Sequence, residues 1–402
     1  MNNVLDLIDQ SAFLAERATE ATNLLQCVWV YNHAIDIDGL RQFHQHLQQG
    51  RLSRRIERSP LPFGRHRWVA PSGQSDLEIG ATPRPREEFD AWLSEQANTP
   101  LDAEHGPGWH LAVLPFTDGG AGLSFVISHS LVDGVGLCEA LADAASGRHD
   151  PISWPTAGSR RRSRALREDA RQTARTSRGW ARRRRWQRTT RGIGGPSRPA
   201  SGTGRRDGFA TSAVPVNERT ADDTRANAIT SVGITVDPEP AATNLREIRA
   251  AIKQALIRYQ EVPDERLAAL PLAPLLPQWL VRRMVSVAVG GATASGSSNL
   301  GAVNPAANRP DGTDAAYFAM KSLVSGAGTT VATIHRTGGL LGLLSGRTKG
   351  QVFVSVAAYR LDRPYSNDDL RNDLSSILND FSVTAKEGWP CPEPAGGPDK
   401  RQ

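Results

Sequence analysis

The sequence has few cysteines, which excludes several classes of protein. Its 402 residues include three, Cys27, Cys138 and Cys391, which lie far apart and show no paired-thiol spacing. We therefore expect reduced thiols in a cytoplasmic setting, and neither a disulfide framework nor a zinc site. The chain also has no charged N-terminal region followed by an apolar stretch, so no signal peptide is expected.

Long apolar runs are also missing. The most apolar segment, residues 267–291, is interrupted by three prolines and by Arg282 and Arg283. A membrane-spanning helix needs about 20 largely uninterrupted apolar residues, so this segment is not expected to span a membrane. Two other roles stay open for it, namely contact with a membrane surface and cover over an apolar tunnel.

Several catalytic motifs are absent. The chain has no Gly-rich phosphate loop, no Cys-x-x-Cys, no His-Glu-x-x-His and no Gly-x-Ser-x-Gly. The last absence argues against a serine hydrolase. His44 and His46 are two residues apart, which does not place them on one helix face, so no metal site is expected.

The positive charge is concentrated in one segment. The chain has a net charge of +6, and 14 arginines lie between Arg160 and Arg191. Without this segment the remainder is near neutral or acidic, so the whole protein is not expected to bind nucleic acid. Three readings stay open for the segment itself: a solvated stretch, a contact with an anionic lipid or membrane surface, where each basic residue contributes ~1 kcal/mol, or a local nucleic-acid contact.

One stretch, residues 123–136, carries the most specific chemical signal. Leu123, Phe125 and Ile127 alternate with smaller or more polar residues, which predicts a strand. His129 follows with the same parity, and Asp133 then begins a run with helical apolar spacing. A histidine held at a strand end beside glycines is well placed to act as a general base.

The rest of the chain predicts two α/β lobes. Residues 1–150 read as strand, helix, strand, helix, hairpin and helix, and residues 151–228 read as an Arg/Gly/Pro-rich linker. A second lobe, 229–388, begins with a strand at its first residues and ends with an inward-facing helix capped by its Ser-x-x-Asp sequence at 366–369. Residues 389–402 are expected to be a flexible tail. This order favours mixed sheets flanked by helices over a doubly wound parallel sheet.

A small-residue segment lies in the middle of the second lobe. Residues 295–305 are predicted to form a turn region, and they contain the sequence Ser298-Asn299-Leu300-Gly301.

The sequence His129-Ser-Leu-Val-Asp133-Gly134 resembles the His-x-x-x-Asp-Gly motif of the coenzyme-A-dependent acyltransferase superfamily. This group includes chloramphenicol acetyltransferase, condensation domains of peptide synthetases, polyketide-associated acyltransferases and bacterial wax ester synthase/diacylglycerol acyltransferases. Residues 298–301 are similar to the second-lobe Ser-Asn motif of the wax-synthase and alcohol-acetyltransferase branches. The resemblance implies a two-lobed chloramphenicol-acetyltransferase-like fold with its active site at the lobe interface.

Two details bear on the branch. Many wax-synthase and condensation-type members have a second histidine before the motif, and here that position is Ser128. The Asp-Phe-Gly type of second motif, found in chloramphenicol acetyltransferases and many condensation domains, is not evident. Its absence favours the wax-synthase-like branch.

The resemblance also implies roles for individual residues. His129 would be the general base, and Asp133 would organise the loop by pairing with an arginine. A substrate-binding role is expected for four further residues, Gly134, Ser298, Asn299 and Gly301. Asn299, or backbone amides near Gly301, would donate to the oxyanion.

The resemblance predicts transfer of an acyl group from acyl-coenzyme A to a hydroxyl acceptor. The thioester is a co-substrate, and no other cofactor is expected. Two alternatives stay open. One is a condensation or polyketide-associated acyltransferase that uses a carrier-protein thioester. The other is a non-catalytic scaffold that binds lipid or nucleic acid through the arginine segment.

Overall fold

Two five-stranded sheets organise the chain. The structure is a computed structural model, and it describes residues 3–73, 75–148, 152–171, 209–220, 223–261, 275–289, 295–326, 340–359 and 366–383. Helices flank both sheets, and each sheet contains parallel and antiparallel neighbours. The predicted mixed α/β architecture is therefore confirmed.

The first sheet contains β1 (Ala21–Tyr31), β4 (Leu77–Ile79), β5 (Trp109–Pro115), β6 (Ala121–Ser128) and β10 (Tyr317–Gly326). Their order is β10-β1-β6-β5-β4, and only the β4–β5 pair is parallel. Every residue of β6 and nearly every residue of β1 is buried. Both faces of these central strands are covered, so the strand that leads to His129 is held rigidly.

Four helices surround this sheet, namely α1 (Leu7–Thr19), α2 (Ile37–Gln49), α3 (Phe89–Ala97) and α4 (Gly134–Ala145). Three of them begin at an aspartate whose carboxylate accepts a backbone N–H of the first turn, which satisfies a donor that has no partner inside the helix. A two-stranded ribbon of β2 (Arg55–Glu57) and β3 (Arg67–Val69) completes the lobe.

The second sheet contains β7 (Ala210–Asn217), β8 (Ile229–Val236), β9 (Ser295–Ala302), β11 (Leu340–Thr348) and β12 (Gln351–Tyr359). Their order is β12-β11-β9-β7-β8, with β9 parallel to both of its neighbours. Its helices are α5 (Arg246–Glu261), α6 (Gln278–Val289) and α7 (Asn367–Asp380).

Helix α7 is capped as predicted but is more exposed than predicted. The Ser366 and Asp369 side chains form a reciprocal capping box. The helix is predicted to face inward, but two of its apolar residues, Ile377 and the C-terminal cap Phe381, are 50% and 40% exposed.

Within the predicted linker, 151–228, the described residues include a helix and a strand of the second sheet. Residues 162–171 are helical, and strand β7 belongs to the second sheet. Its small residues and Pro215 hid the strand pattern. The proline fits because β7 pairs with β9 only at Ser212 and Ala213, so the missing N–H of Pro215 is not needed there.

The described part of the arginine segment begins with an anchor rather than a solvated cation. Arg160 is 5% exposed and pairs with Glu168 at 3.0 Å and Asp169 at 2.8 Å. Residues 172–191 of this segment, like the predicted tail at 389–402, lie outside the described residues.

Residues 295–302 form a strand rather than the predicted turn region. Strand β9 lies between β11 and β7, and it pairs with β11 along most of its length and with β7 at Ser295 and Gly296. The pairing overrides the weak intrinsic strand preference of its Ser, Gly and Asn residues.

Strand β10 joins the two lobes. It follows β9 in the chain but pairs with β1 of the first sheet, from Ala21 opposite Gly326 to Val30 opposite Tyr317. Side chains of β1 add two more links, from Trp29 Nε1 to the Ala307 carbonyl at 2.8 Å and from the Tyr31 hydroxyl to Asp311 at 3.0 Å.

Among the described residues, no helix is long and apolar enough to cross a membrane. The described part of the most apolar segment is α6 and the residues just before it, where Leu275, Trp279 and Met284 are each at least half exposed.

Candidate active site

The backbone of His129 is fixed while its ring is left available. Its N–H donates to the Asn23 carbonyl at 2.7 Å, and its carbonyl accepts from Asn227 Nδ2 at 3.1 Å. The side chain is half-buried, and the imidazole forms no hydrogen bond with any residue that the structure describes. The ring nitrogens are thus not committed to a structural role.

Asp133 holds the loop that follows His129. It is the N-cap of α4, where it accepts the Gly136 N–H at 2.7 Å, and its other oxygen accepts the Ala228 N–H at 2.8 Å and Arg219 Nη2 at 2.6 Å. The Asp133 and Arg219 side chains are 1% and 3% exposed. The loop therefore contains the arginine pair that the resemblance implies, and the pair is shielded from solvent.

A short segment, residues 223–228, crosses the loop and is called the strap below. The Asp133 N–H donates to the Ala226 carbonyl at 2.9 Å. Arg54 joins strap and loop, since it donates to the Thr224 carbonyl at 2.6 Å and to the Leu131 carbonyl at 2.9 Å. The strap and the loop thus form one hydrogen-bonded unit.

Asp9 fixes the strap from the opposite side. Its buried carboxylate, on α1, accepts the backbone N–H groups of Ala226 at 2.9 Å and of Asn227 at 2.7 Å. Burial raises the pKa of Asp9 to about 6, although these hydrogen bonds and the charge of Arg54 act in the opposite direction. Asp9 is therefore ionised at neutral pH at a cost in folding free energy.

The raised pKa of Asp9 predicts that the difference in stability between the wild type and Asp9→Asn depends on pH. The pKa of Asp9 rises from 3.8 to about 6 on folding, so the folded state binds a proton more tightly than the unfolded state. As the pH falls from 7 to 4, the free energy of unfolding of the wild type should increase relative to that of Asp9→Asn, by at most about 3 kcal/mol. Urea unfolding of both proteins across this range measures the difference. A constant difference, or one of opposite sign, would contradict the prediction.

Two glycines of the motif allow close approach of other groups. A Cβ on Gly136 would lie 2.9 Å from Arg219 Nη2, so this glycine makes room for the buried guanidinium. A Cβ on Gly134 would lie 2.9 Å from Leu300 Cδ2. Leu300 belongs to β9, so Gly134 is where the second lobe packs against the start of α4.

Of the Ser298–Gly301 motif, only Leu300 lies close to the His129–Gly134 motif. Leu300 contacts the region of Gly134, but no hydrogen bond within the described residues joins Asn299 to His129. The Asn299 carboxamide oxygen instead accepts the Gly301 N–H at 2.8 Å, and Gly301 has a left-handed φ of 69°. Ser298 is half-buried in the same strand. The substrate-binding roles of Gly134, Ser298, Asn299 and Gly301 stay predictions.

A cavity of about 430 Å³ lies where the lobes meet beside α4. Both lobes line it, with Val135 and Cys138 from α4, Leu300 and Asn304 from the second lobe, and Arg219 between them. Arg219, the partner of Asp133, lines this cavity, whereas His129 is not among its lining residues. The described residues contain no group of three or more His, Cys, Asp or Glu side chains that could hold a metal ion.

Sequence reasoning missed four residues that shape the site, namely Asp9, Arg54, Arg219 and Asn227. Each is a single polar residue without a motif around it, and two of them lie in the segment predicted as linker. The only signal was the expectation, from the resemblance, that Asp133 pairs with some arginine.

No protein-family model and no curated protein sequence matches the chain at a significant level. Solved structures match it over almost its full length, and they define a fold class, that of condensation domains and chloramphenicol-acetyltransferase-like proteins. The first condensation domain of the CDA synthetase has a TM-score of 0.57 at 14% identity, over 94% of this chain and 95% of that one.

Two further structures have the same fold. The first condensation domain of the calcium-dependent antibiotic synthetase, in complex with a substrate analogue, has a TM-score of 0.55 at 15% identity, over 95% of this chain and 96% of that one. A trichothecene 15-O-acetyltransferase from Fusarium sporotrichioides has a TM-score of 0.53 at 13% identity, over 94% of both chains. At these identities the likeness establishes the fold, and the substrates have to be inferred from the residues of the site.

Proposed function

We propose that the protein is an acyltransferase in which His129 is the general base. The observation that carries the proposal is the combination of a fixed backbone and an available ring. The N–H and the carbonyl of His129 are both hydrogen-bonded, and the half-buried imidazole has no partner among the described residues. Because neither ring nitrogen is used in a hydrogen bond with those residues, the imidazole is available to a substrate hydroxyl.

The proposed reaction needs one proton shuttle. The neutral imidazole takes the proton of an acceptor hydroxyl while the hydroxyl oxygen attacks the carbonyl carbon of an acyl thioester. The carbon–sulfur bond then breaks, and the departing sulfur takes the proton back from the imidazolium. The products are an ester and a free thiol. Asp133 and Arg219 stay paired throughout and hold the loop.

For the donor and acceptor we propose acyl-coenzyme A and a hydroxyl group, as in the wax ester synthase/diacylglycerol acyltransferase-like branch. Residues 298–301 support this branch by their similarity to its second motif. The fold shared with a 15-O-acetyltransferase is consistent with a hydroxyl acceptor. The carrier-protein thioester is a second candidate, because condensation domains are among the structures with the same fold.

A donor and acceptor panel tests the proposal. Acyl-coenzyme A and acyl-carrier donors of several chain lengths would be combined with alcohols and amines, and the released thiol measured. We expect thiol release that depends on both an acyl-coenzyme A and an alcohol. Release only from the carrier would favour the second candidate. No acceptor-dependent release from either donor would contradict the proposed activity and favour a non-catalytic scaffold.

A further inference from the structure

A carboxylate on α1 binds both residues that flank His129. Glu16 lies in the last turns of α1, and both of its carboxylate oxygens are 3.4 Å from the Ser128 hydroxyl. The Ser130 hydroxyl donates a short hydrogen bond to the same carboxylate. Ser128 and Ser130 are 0% and 3% exposed, so water does not compete for these contacts. His129 is the residue between them.

The hydrogen bonds around Glu16 form a closed ring. The Ser130 N–H donates to the Ser128 hydroxyl oxygen at 3.2 Å. The Ser128 hydroxyl proton is therefore free to point to Glu16, and the Ser130 hydroxyl points to Glu16 from the other side. An ionised carboxylate is an acceptor only, and it can accept several donors at once. Glu16 can thus complete the ring, which a hydroxyl or an amide of the same reach would do less well.

Burial and hydrogen bonding act on the Glu16 carboxylate in opposite directions. Burial raises the pKa of Glu16 above its ordinary value, and hydrogen bonds from Ser130, Thr22 and Ser128 offset only part of that rise. The contacts from the Ser128 and Ser130 hydroxyls hold the loop to Glu16 on both sides of His129.

We propose that Glu16 is a positioning residue for His129, acting through the hydroxyls of Ser128 and Ser130. This assignment rests on the proposed function. Asn23 and Asn227 fix the N–H and the carbonyl of His129, and the Glu16 ring fixes the two peptide units on either side. The ring also gives a reason for serine at position 128, because its hydroxyl both accepts from the loop and donates to Glu16.

Kinetic measurements on the full chain test the proposal. Glu16→Ala and Ser130→Ala should each lower kcat by roughly 10- to 100-fold with KM unchanged for both substrates, because a misplaced base affects the chemical step. Glu16→Gln, which keeps one acceptor oxygen, should recover part of the loss. In the double variant of Glu16→Ala and Ser130→Ala, kcat should fall no further than in the more affected single variant, since both residues belong to the same ring of hydrogen bonds. A raised KM with unchanged kcat, or multiplied losses, would overturn the proposal.

Two matched control variants distinguish loss of the Glu16 hydrogen bonds from the general effect of removing a carboxylate or a buried serine. Glu20→Ala removes an exposed carboxylate that follows the same helix. Ser124→Ala removes a buried serine of the same strand whose hydroxyl binds Gln26 instead. Both controls should keep the wild-type kcat, and a loss in the controls equal to that in Glu16→Ala would count against a specific role.

A spectroscopic measurement separates this proposal from the activity itself. The nine histidines would be labelled with carbon-13, and the ring signal of His129 identified by its absence in His129→Ala. We expect this signal to broaden or split in Glu16→Ala and in Ser130→Ala while the other eight keep their positions. An unchanged His129 signal would overturn the positioning role even in an active enzyme. If Glu16→Ala fails to fold, Ser130→Ala alone decides.

Discussion

Replacing His129 with alanine should lower the rate of thiol release by about 10²- to 10⁴-fold, the usual contribution of a general base. The fold should be unaffected, because the imidazole makes no hydrogen bond with the described residues. Thermal unfolding and the acceptor-dependent rate, measured on the same sample, check both statements. His33→Ala removes an exposed ring elsewhere in the lobe and should keep the wild-type rate.

Two outcomes would separate a general base from a structural histidine. Loss of activity together with a lowered melting temperature would indicate that His129 supports the fold. Retained turnover in a folded His129→Ala protein would exclude it as the base, whatever the donor. His129→Gln, which keeps a polar side chain of similar reach but cannot take a proton, should be as inactive as His129→Ala.

The second large effect is a loss of stability when the buried ion pair between Asp133 and Arg219 is broken. Replacing Arg219 with methionine leaves the Asp133 carboxylate buried without a cation, and removing one partner of a buried ion pair typically costs about 3–5 kcal/mol. Urea unfolding at neutral pH measures the loss. Arg41→Met provides the control, because Arg41 and Asp38 form an exposed pair, 59% and 87% exposed, whose contribution is at most about 1 kcal/mol.

A double variant shows whether the uncompensated charge causes this loss. Asp133→Asn keeps an oxygen that can accept the Gly136 N–H and removes the negative charge. Added to Arg219→Met, it should therefore recover part of the lost stability. A loss no larger than that of Arg41→Met, or no recovery in the double variant, would show that the pair is not the main restraint on the loop.

The sequence predicted features that depend on neighbouring residues. The apolar alternation before His129 predicted β6, and the helical apolar spacing that follows Asp133 predicted α4. Helix α7 was predicted from Ser366 and Asp369, which lie within one turn. In each case the chemical reason for the structure lies within a few residues of it.

Features that depend on distant residues were not predictable. Arg219 lies 86 positions from Asp133, and Asp9 lies 217 positions from the Ala226 N–H that it binds. A single aspartate or arginine carries no mark of such a partner. Strand β7 was missed because its identity depends on β8 and β9 rather than on its own apolar content.

The pairing of β10 with β1 has a consequence for synthesis of the chain. Val30 lies opposite Tyr317, so the edge of β1 that faces β10 has no partner until about four fifths of the chain has been made. At 5–20 residues per second, the time between synthesis of β1 and synthesis of β10 is roughly 15 to 60 s. An unpaired strand edge of this length favours association with other chains. The nascent protein is therefore expected to need protection, by the ribosome surface or a chaperone, for longer than a protein whose sheets close in chain order.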